Sequence, residues 1–205
     1  MKKSIVTAVL TLVLSAAVTA QKKGDVEFGV NIGYNRSNVS NSQVSSDPGS
    51  GINFGGSLDY YFSDTWSIKG KLIYDQKGWD NDYIEDNNGN IYPTDVNLNY
   101  LTVPIMANWH FGNKRNWYIN FGPYFGFLLN AEETQFGTDL SDYFNENDFG
   151  LAVGIGVIIP VSNKLKIFFE YEGQGGFSDI AKDNTNSAIT NSRSGFNAGL
   201  NFLLK

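Results

Sequence analysis

The sequence predicts an all-β fold, a closed antiparallel up-and-down transmembrane β-barrel of about eight strands. Three observations carry this. Apolar residues alternate with small or polar ones at a period of two along eight segments, and the joins between those segments alternate long and short. Beyond the N-terminus, no uncharged apolar run reaches the ~20 residues a membrane helix needs; the best, 151–161, is interrupted by Gly154 and Gly156. The 205 residues suit one domain, and with 15% aromatics, 22 Gly and no Cys, stability has to come from backbone pairing and burial.

Lys2 and Lys3, an apolar run from Ile5 to Val18 and small residues ending at Ala20 have the layout of a secretory signal. Residues 1–20 are therefore expected to be cleaved, leaving 21–205 as the barrel domain of a Gram-negative-type outer membrane. Cleavage takes Lys+Arg from 15 to 13 against 21 Asp+Glu, a net charge of −8, which argues against nucleic acid as a partner.

The first strand sets Phe28, Val30, Ile32 and Tyr34 against Gly29, Asn31, Gly33 and Asn35. The second sets Ile52, Phe54, Leu58, Tyr60 and Phe62 against Asn53, Gly55, Ser57 and Asp59, and the third Trp66, Ile68, Leu72 and Tyr74 against Ser67, Lys69, Lys71 and Asp75. The odd positions from Leu101 to Phe111, from Trp117 to Leu129 and from Phe149 to Ile159 continue the series. So do those from Leu165 to Tyr171, and the even ones from Phe196 to Phe202 close it. With Gly56 and Gly70 included, these stripes hold 42 positions without a charge, where an 18% charged chain would place about 7 or 8 by chance.

A soluble eight-stranded barrel also alternates, but with its apolar face inward. Volume separates the two cases. An eight-stranded lumen takes roughly one layer of side chains, and stripes carrying Trp66, Trp109, Trp117 and many Phe would overfill it. The bulky face is therefore expected to meet lipid, with Gly, Asn and Ser inside.

The joins 37–50, 78–95, 130–147 and 175–192 are long, while 63–65, 112–116 and 160–163 are short, as in barrels with external loops and tight periplasmic turns. Tyr60, Phe62, Trp66, Trp109, Phe111 and Trp117 flank the short turns, where an aromatic girdle is expected.

The segment Tyr100-Leu-Thr-Val-Pro104-Ile, the following Gly122-Pro123-Tyr124 and the closing Gly195-Phe-Asn-Ala-Gly-Leu-Asn-Phe202 resemble the PorT-like outer membrane protein β-barrel family, also labelled a porin family. The resemblance runs from Glu27 to Lys205 and implies location and fold more than activity.

No catalytic, cofactor or metal residues are expected. The single histidine, His110, points into the lumen across from Tyr118, away from the external rim where membrane-barrel hydrolases place theirs. Strand charges fall on the inner face, at Asp59, Lys69, Lys71, Asp75, Lys166, Glu170, Glu172 and Arg193. If the 63–65 turn pairs Phe62 with Trp66, Asp59 faces Lys69, and the rest are expected to form ion pairs that fill a narrow lumen.

The joins 78–95 and 130–148 are acidic, without Lys or Arg, and are read as solvated surface, with an external protein or divalent cation as a possible contact. Asn88-Gly89 signals a type I′ hairpin, so the first of them is expected to protrude as a ribbon; Asp86, Asn88 and Asn90 match a calcium loop only faintly. The expected role is that of a monomeric structural or interaction protein in contact with outer-membrane lipid. A narrow porin-like channel or transport component, and an accessory of a secretion machine, are the alternatives.

Overall fold

The computed structural model describes residues 21–40, 47–185 and 187–204, so the signal segment read at 1–20 lies outside the described residues. The strands are β1 (Val26–Ser40), β2 (Asp47–Tyr61), β3 (Trp66–Glu85), β4 (Ile91–Phe111), β5 (Trp117–Glu133), β6 (Asn147–Pro160), β7 (Leu165–Gly176) and β8 (Thr190–Leu203). Each pairs antiparallel with the next, and β8 returns to β1, from Glu27 opposite Leu203 to Ser40 opposite Thr190, closing the barrel. The helical structure among the described residues is one 3-10 turn, Ser141–Tyr143.

None of the 42 stripe positions is buried. Their cross-strand partners lie on the same outer face, as Ile32 opposite Phe54 and Phe121 opposite Val153. Two of the three segments that carry the family resemblance meet in this wall, with Pro104 opposite Tyr124. Pro104 gives no N–H to the ladder, and a Cβ on Gly122 would run into the Ile105 carbonyl oxygen, so this close approach of β4 and β5 requires glycine.

The inner face is not built of small residues alone, as the volume argument supposed. Tyr61, Tyr100, Tyr118, Tyr124, Met106, Ile158 and Phe168 also point inward and are buried. They fit because the adjacent strand offers glycine: a Cβ on Gly156 would strike the Tyr118 ring, and one on Gly199 the Phe168 ring. Bulk from one strand fills the space its neighbour leaves.

At the external end the strands run past their expected limits. β3 and β4, of 20 and 21 residues, project as a two-stranded ribbon whose last pair is Glu85 and Ile91. Its turn is not the expected type I′, which needs positive φ at both central residues. Asn88 is not left-handed; Gly89 is, at φ 82°, and the Gly89 N–H donates to the Asp86 carbonyl at 3.0 Å. Asn87 and Asn88 therefore occupy an ordinary turn, and Gly89 supplies the bulge after it.

Two other loops fold inward over the barrel mouth. The Asn145 N–H donates to the Ile180 carbonyl at 2.8 Å and the Lys182 N–H to the Tyr143 carbonyl at 2.9 Å, joining the β5–β6 and β7–β8 connections. Phe144 and Ile180 from these loops pack with Val39, Trp79, Val96, Leu98, Tyr100 and Ala131 in one buried apolar cluster. The 130–148 segment is thus only partly solvated: Ala131, Glu133, Phe144 and Asp148 are buried.

A charge on the lipid face and one on the inner face should fail differently. Val153→Lys and Leu200→Arg are expected to lower stability in vesicles by about 2–4 kcal/mol, by an amount that depends on depth in the bilayer. Lys at Gly154 meets the Asn120 side chain, and its cost is expected to be steric and insensitive to lipid chain length. Urea titrations in two bilayer thicknesses check this, and equal tolerance on both faces would mean that the barrel is inside out.

Candidate functional site

The candidate site is the lumen with its two rims. Inward-facing charges on six of the eight strands form ion pairs along the barrel axis, and burial makes each unpaired charge costly. All eight charges read from the sequence are buried there. The β2–β3 register sets Asp59 opposite Lys69, and their side chains meet at 3.3 Å, with Asn108 donating to the same carboxylate at 3.0 Å. The Lys69 ammonium also lies 5.2 Å from the Tyr118 ring centre, a cation–π distance.

One level outward, Lys71 bridges Glu170 at 2.6 Å and Glu172 at 2.5 Å across the barrel. Glu170 accepts further bonds from the Tyr118 hydroxyl at 3.0 Å and Asn120 at 2.6 Å. Arg193 continues the chain, from Glu172 at 3.0 Å to Asp75 at 2.9 Å, and Asn35 donates to Asp75 at 3.0 Å. Lys166 does not join this cluster. It pairs with Glu27, which the sequence reading left out, and Asn201 donates to the same carboxylate at 3.2 Å.

A fourth group, Lys77 with Asp148 at 3.1 Å, was also missed. Asp148 had been counted with the acidic loop, yet it is fully enclosed by Tyr124, Asn191 and Ser178, all of which donate to it. The signal that was available is parity: Asp148 alternates in phase with the inward Gly150 and Ala152. His110 sits opposite Tyr118, as read, and its ring lies 3.3 Å from the Ser67 hydroxyl.

At the short-turn rim the six girdle residues face outward. Trp66 pairs with Trp109 at 6.4 Å between ring centres, Trp109 stacks on Phe111 at 5.0 Å, and Phe111 is opposite Trp117. A second aromatic band, not read from the sequence, lies toward the external end: Phe54 on Tyr74 at 5.1 Å, Tyr171 on Phe196 at 4.8 Å, and Tyr34 opposite Phe196. Trp66 to Tyr74 spans about nine residues of β3, the length at which a tilted strand crosses the hydrocarbon.

The faint calcium resemblance dissolves in the geometry. The Asp86 carboxylate accepts the N–H groups of Asn88 and Asn90 at 2.8 and 2.9 Å and the Asn90 amide at 2.9 Å, so it closes the ribbon's turn. Among the described residues no group of three or more His, Cys, Asp or Glu is arranged to hold a metal ion.

A closed ring of eight antiparallel strands, bulky and apolar outside and charge-paired inside, with an aromatic band toward each end, is an integral membrane β-barrel. The chain belongs to the outer membrane protein beta-barrel domain family, whose model matches residues 19–182, and this family places it in the outer membrane. Similar solved structures include the outer membrane protein OprG from Pseudomonas aeruginosa, 11% identical with a TM-score of 0.55, covering 91% of this chain and 99% of that one. Neisserial surface protein A is 17% identical with a TM-score of 0.51, covering 85% and 96%. At such identities the likeness is one of fold. No curated protein matches the chain.

The Asp59–Lys69 pair can be tested by a double-mutant cycle. Asp59→Asn and Lys69→Met should each destabilise, and the double variant should recover part of the loss. A coupling of roughly 1 kcal/mol or more, read from urea titrations, is expected for a pair in a dry interior; a few tenths, as for exposed pairs, would mean solvent reaches both groups.

The ribbon turn supplies a pH test. The hydrogen bonds from Asn90, then Asn88 and Tyr92, hold the Asp86 carboxyl down at about 2. A lowered folded-state value means that the contribution is present above the unfolded value near 4 and is lost as pH falls through about 2. Amide exchange of Asn88 and Asn90 should be slow at pH 5 and accelerate, relative to its intrinsic rate, between about pH 4 and 2.

Proposed function

We propose that this protein is a non-conducting outer-membrane barrel that acts as an interaction protein through its external end. The observation that carries the reading is the covering of the mouth by the apolar cluster around Phe144 and Ile180, above a lumen whose charges are already paired. Such a lumen acts as a plug and leaves little open bore for a solute. The acidic external segments, by contrast, carry thirteen Asp and Glu against Arg36 and Lys182 among the described residues. The outer face of the ribbon adds exposed Tyr83 and Ile91, each 69% accessible, beside Pro93.

An acidic surface with a projecting aromatic and aliphatic tip fits a basic protein partner, which charge would steer and the apolar tip would anchor. The segments that resemble PorT-like barrels lie in the wall, where Pro104 faces Tyr124, so that finer likeness bears on the wall and not on the partner. A role beside a secretion machine remains compatible with the same surface.

Two measurements test this. The purified barrel is expected to give no conductance steps in planar bilayers. Tyr83→Ser with Ile91→Ser should keep the anomalous mobility of the unboiled barrel on denaturing gels, yet lose the protein captured by the wild type from native outer membranes. Steady single-channel conductance would instead promote the channel reading.

A further inference from the structure

The rim of short turns has a charge character opposite to that of the external end. Lys22, Lys23, Lys114, Arg115 and Lys164 lie there against Asp25 and Asp64. Both acids are already occupied: Asp25 accepts the Lys22 N–H at 3.0 Å, while Asp64 accepts the Lys23 N–H at 2.9 Å and pairs with Arg115 at 3.3 Å. Among the described residues no carboxylate lies within ion-pair distance of the Lys22, Lys23, Lys114 or Lys164 ammonium groups, and all four residues are exposed.

The fold spreads these cations around the ring. Lys114 and Arg115 form the turn between Phe111 and Trp117, and Lys164 precedes Leu165, whose partner across the β7–β8 ladder is Phe202. Lys22 and Lys23 are held against the β2–β3 turn, which joins Phe62 to Trp66, by the Lys23 bond to Asp64 and the Gly24 N–H bond to the Tyr61 carbonyl at 2.7 Å. Each cation therefore sits just beyond an outward apolar or aromatic side chain, at the depth where a flexible basic stem reaches the headgroup layer.

We propose that this rim binds the phosphates of anionic phospholipids in the periplasmic leaflet. The complementarity is of charge and of depth. The lipid stripe holds no charge, the rim's own acids are engaged, and the four lysines are exposed just beyond the aromatic girdle, at the depth of the phosphate-bearing headgroups. A basic side chain beside an anionic surface contributes roughly fivefold in binding, so the ring concentrates such lipids well above their bulk fraction. The inference rests on the short turns facing the periplasm, and it stands apart from the role assigned to the external ribbon.

The protein carries its own reporters. Trp66, Trp109 and Trp117 lie outward on this rim, and Trp79 is enclosed in the external apolar cluster. The mature chain is reconstituted in phosphatidylcholine vesicles containing equal small fractions of brominated phosphatidylglycerol or brominated phosphatidylcholine, and tryptophan quenching is read. Brominated phosphatidylglycerol is expected to quench several-fold more strongly at low salt, and the excess should shrink as salt rises toward 1 M. Lys114→Gln with Lys164→Gln, and the same pair with Lys22→Gln and Lys23→Gln, should reduce the excess stepwise while the unboiled gel mobility stays unchanged.

Equal quenching by the two lipids overturns the proposal, as does an excess that survives all four substitutions. Inorganic phosphate that removes the excess when chloride at the same ionic strength does not would assign the rim to free phosphate. Equal quenching together with binding of polyglutamate would assign it to an acidic protein.

Discussion

In the hydrocarbon of a bilayer no water reaches a backbone amide, and each unpaired N–H or C=O costs several kcal/mol. A sheet meets that constraint by having no edge, and the pairing of β8 with β1 removes the last one. The rest of the structure follows from the ring. Closing it with eight strands leaves a narrow interior, so every inward residue must fit against its neighbours, as Tyr118 does against Gly156. Burial in that interior then decides which charges can be kept, and the side chains present come in bonded groups: Lys69 with Asp59, Lys71 with Glu170 and Glu172, Lys77 with Asp148. The outer face is free of this packing constraint, and Phe, Trp, Ile and Leu collect there.

How much could be read beforehand follows from chain distance. A period of two is local, so strand faces, the girdle and the Asp59–Lys69 register across a tight turn were legible in the sequence. Pairs such as Lys71 with Glu172 or Glu27 with Lys166 join strands far apart in the chain, and alternation says which face a residue occupies without saying which residue lies across the lumen. Bulges hide more. The irregularity between Trp79 and Asp82, where Asn81 is left-handed at φ 61°, changes the pairing of the ribbon relative to the wall below it. Phe144 and Ile180 belong to no alternating segment, and it is the hydrogen bonds between their two loops that turn them into the mouth.

The two ends of the ring differ in more than loop length. At one end tight turns leave little chain beyond the wall, and the charges exposed there are mostly basic. At the other, the ribbon and the inward-folded loops carry most of the molecule's acids above a covered apolar cluster. Lumen groups bridge the space between: Glu27 with Lys166 lies near the short turns, and Lys77 with Asp148 lies beneath Trp79 and Phe144. The wall is common to the family, whereas the rims are where this chain can meet different surroundings.

The seam between β1 and β8 joins the first and last strands of the barrel, with Glu27 reaching both Lys166 and Asn201. Neighbouring hairpins can zip locally, but this seam closes a loop of nearly the whole chain, the slowest kind of contact to form. It also cannot begin until the last strand is present. Until then β1, even when paired with β2, keeps one row of edge groups open, the condition in which strands aggregate. Glu27 then serves as a clasp that engages only once β8 arrives beside β1, so that the edge-free state is reached in a single closing step and not strand by strand.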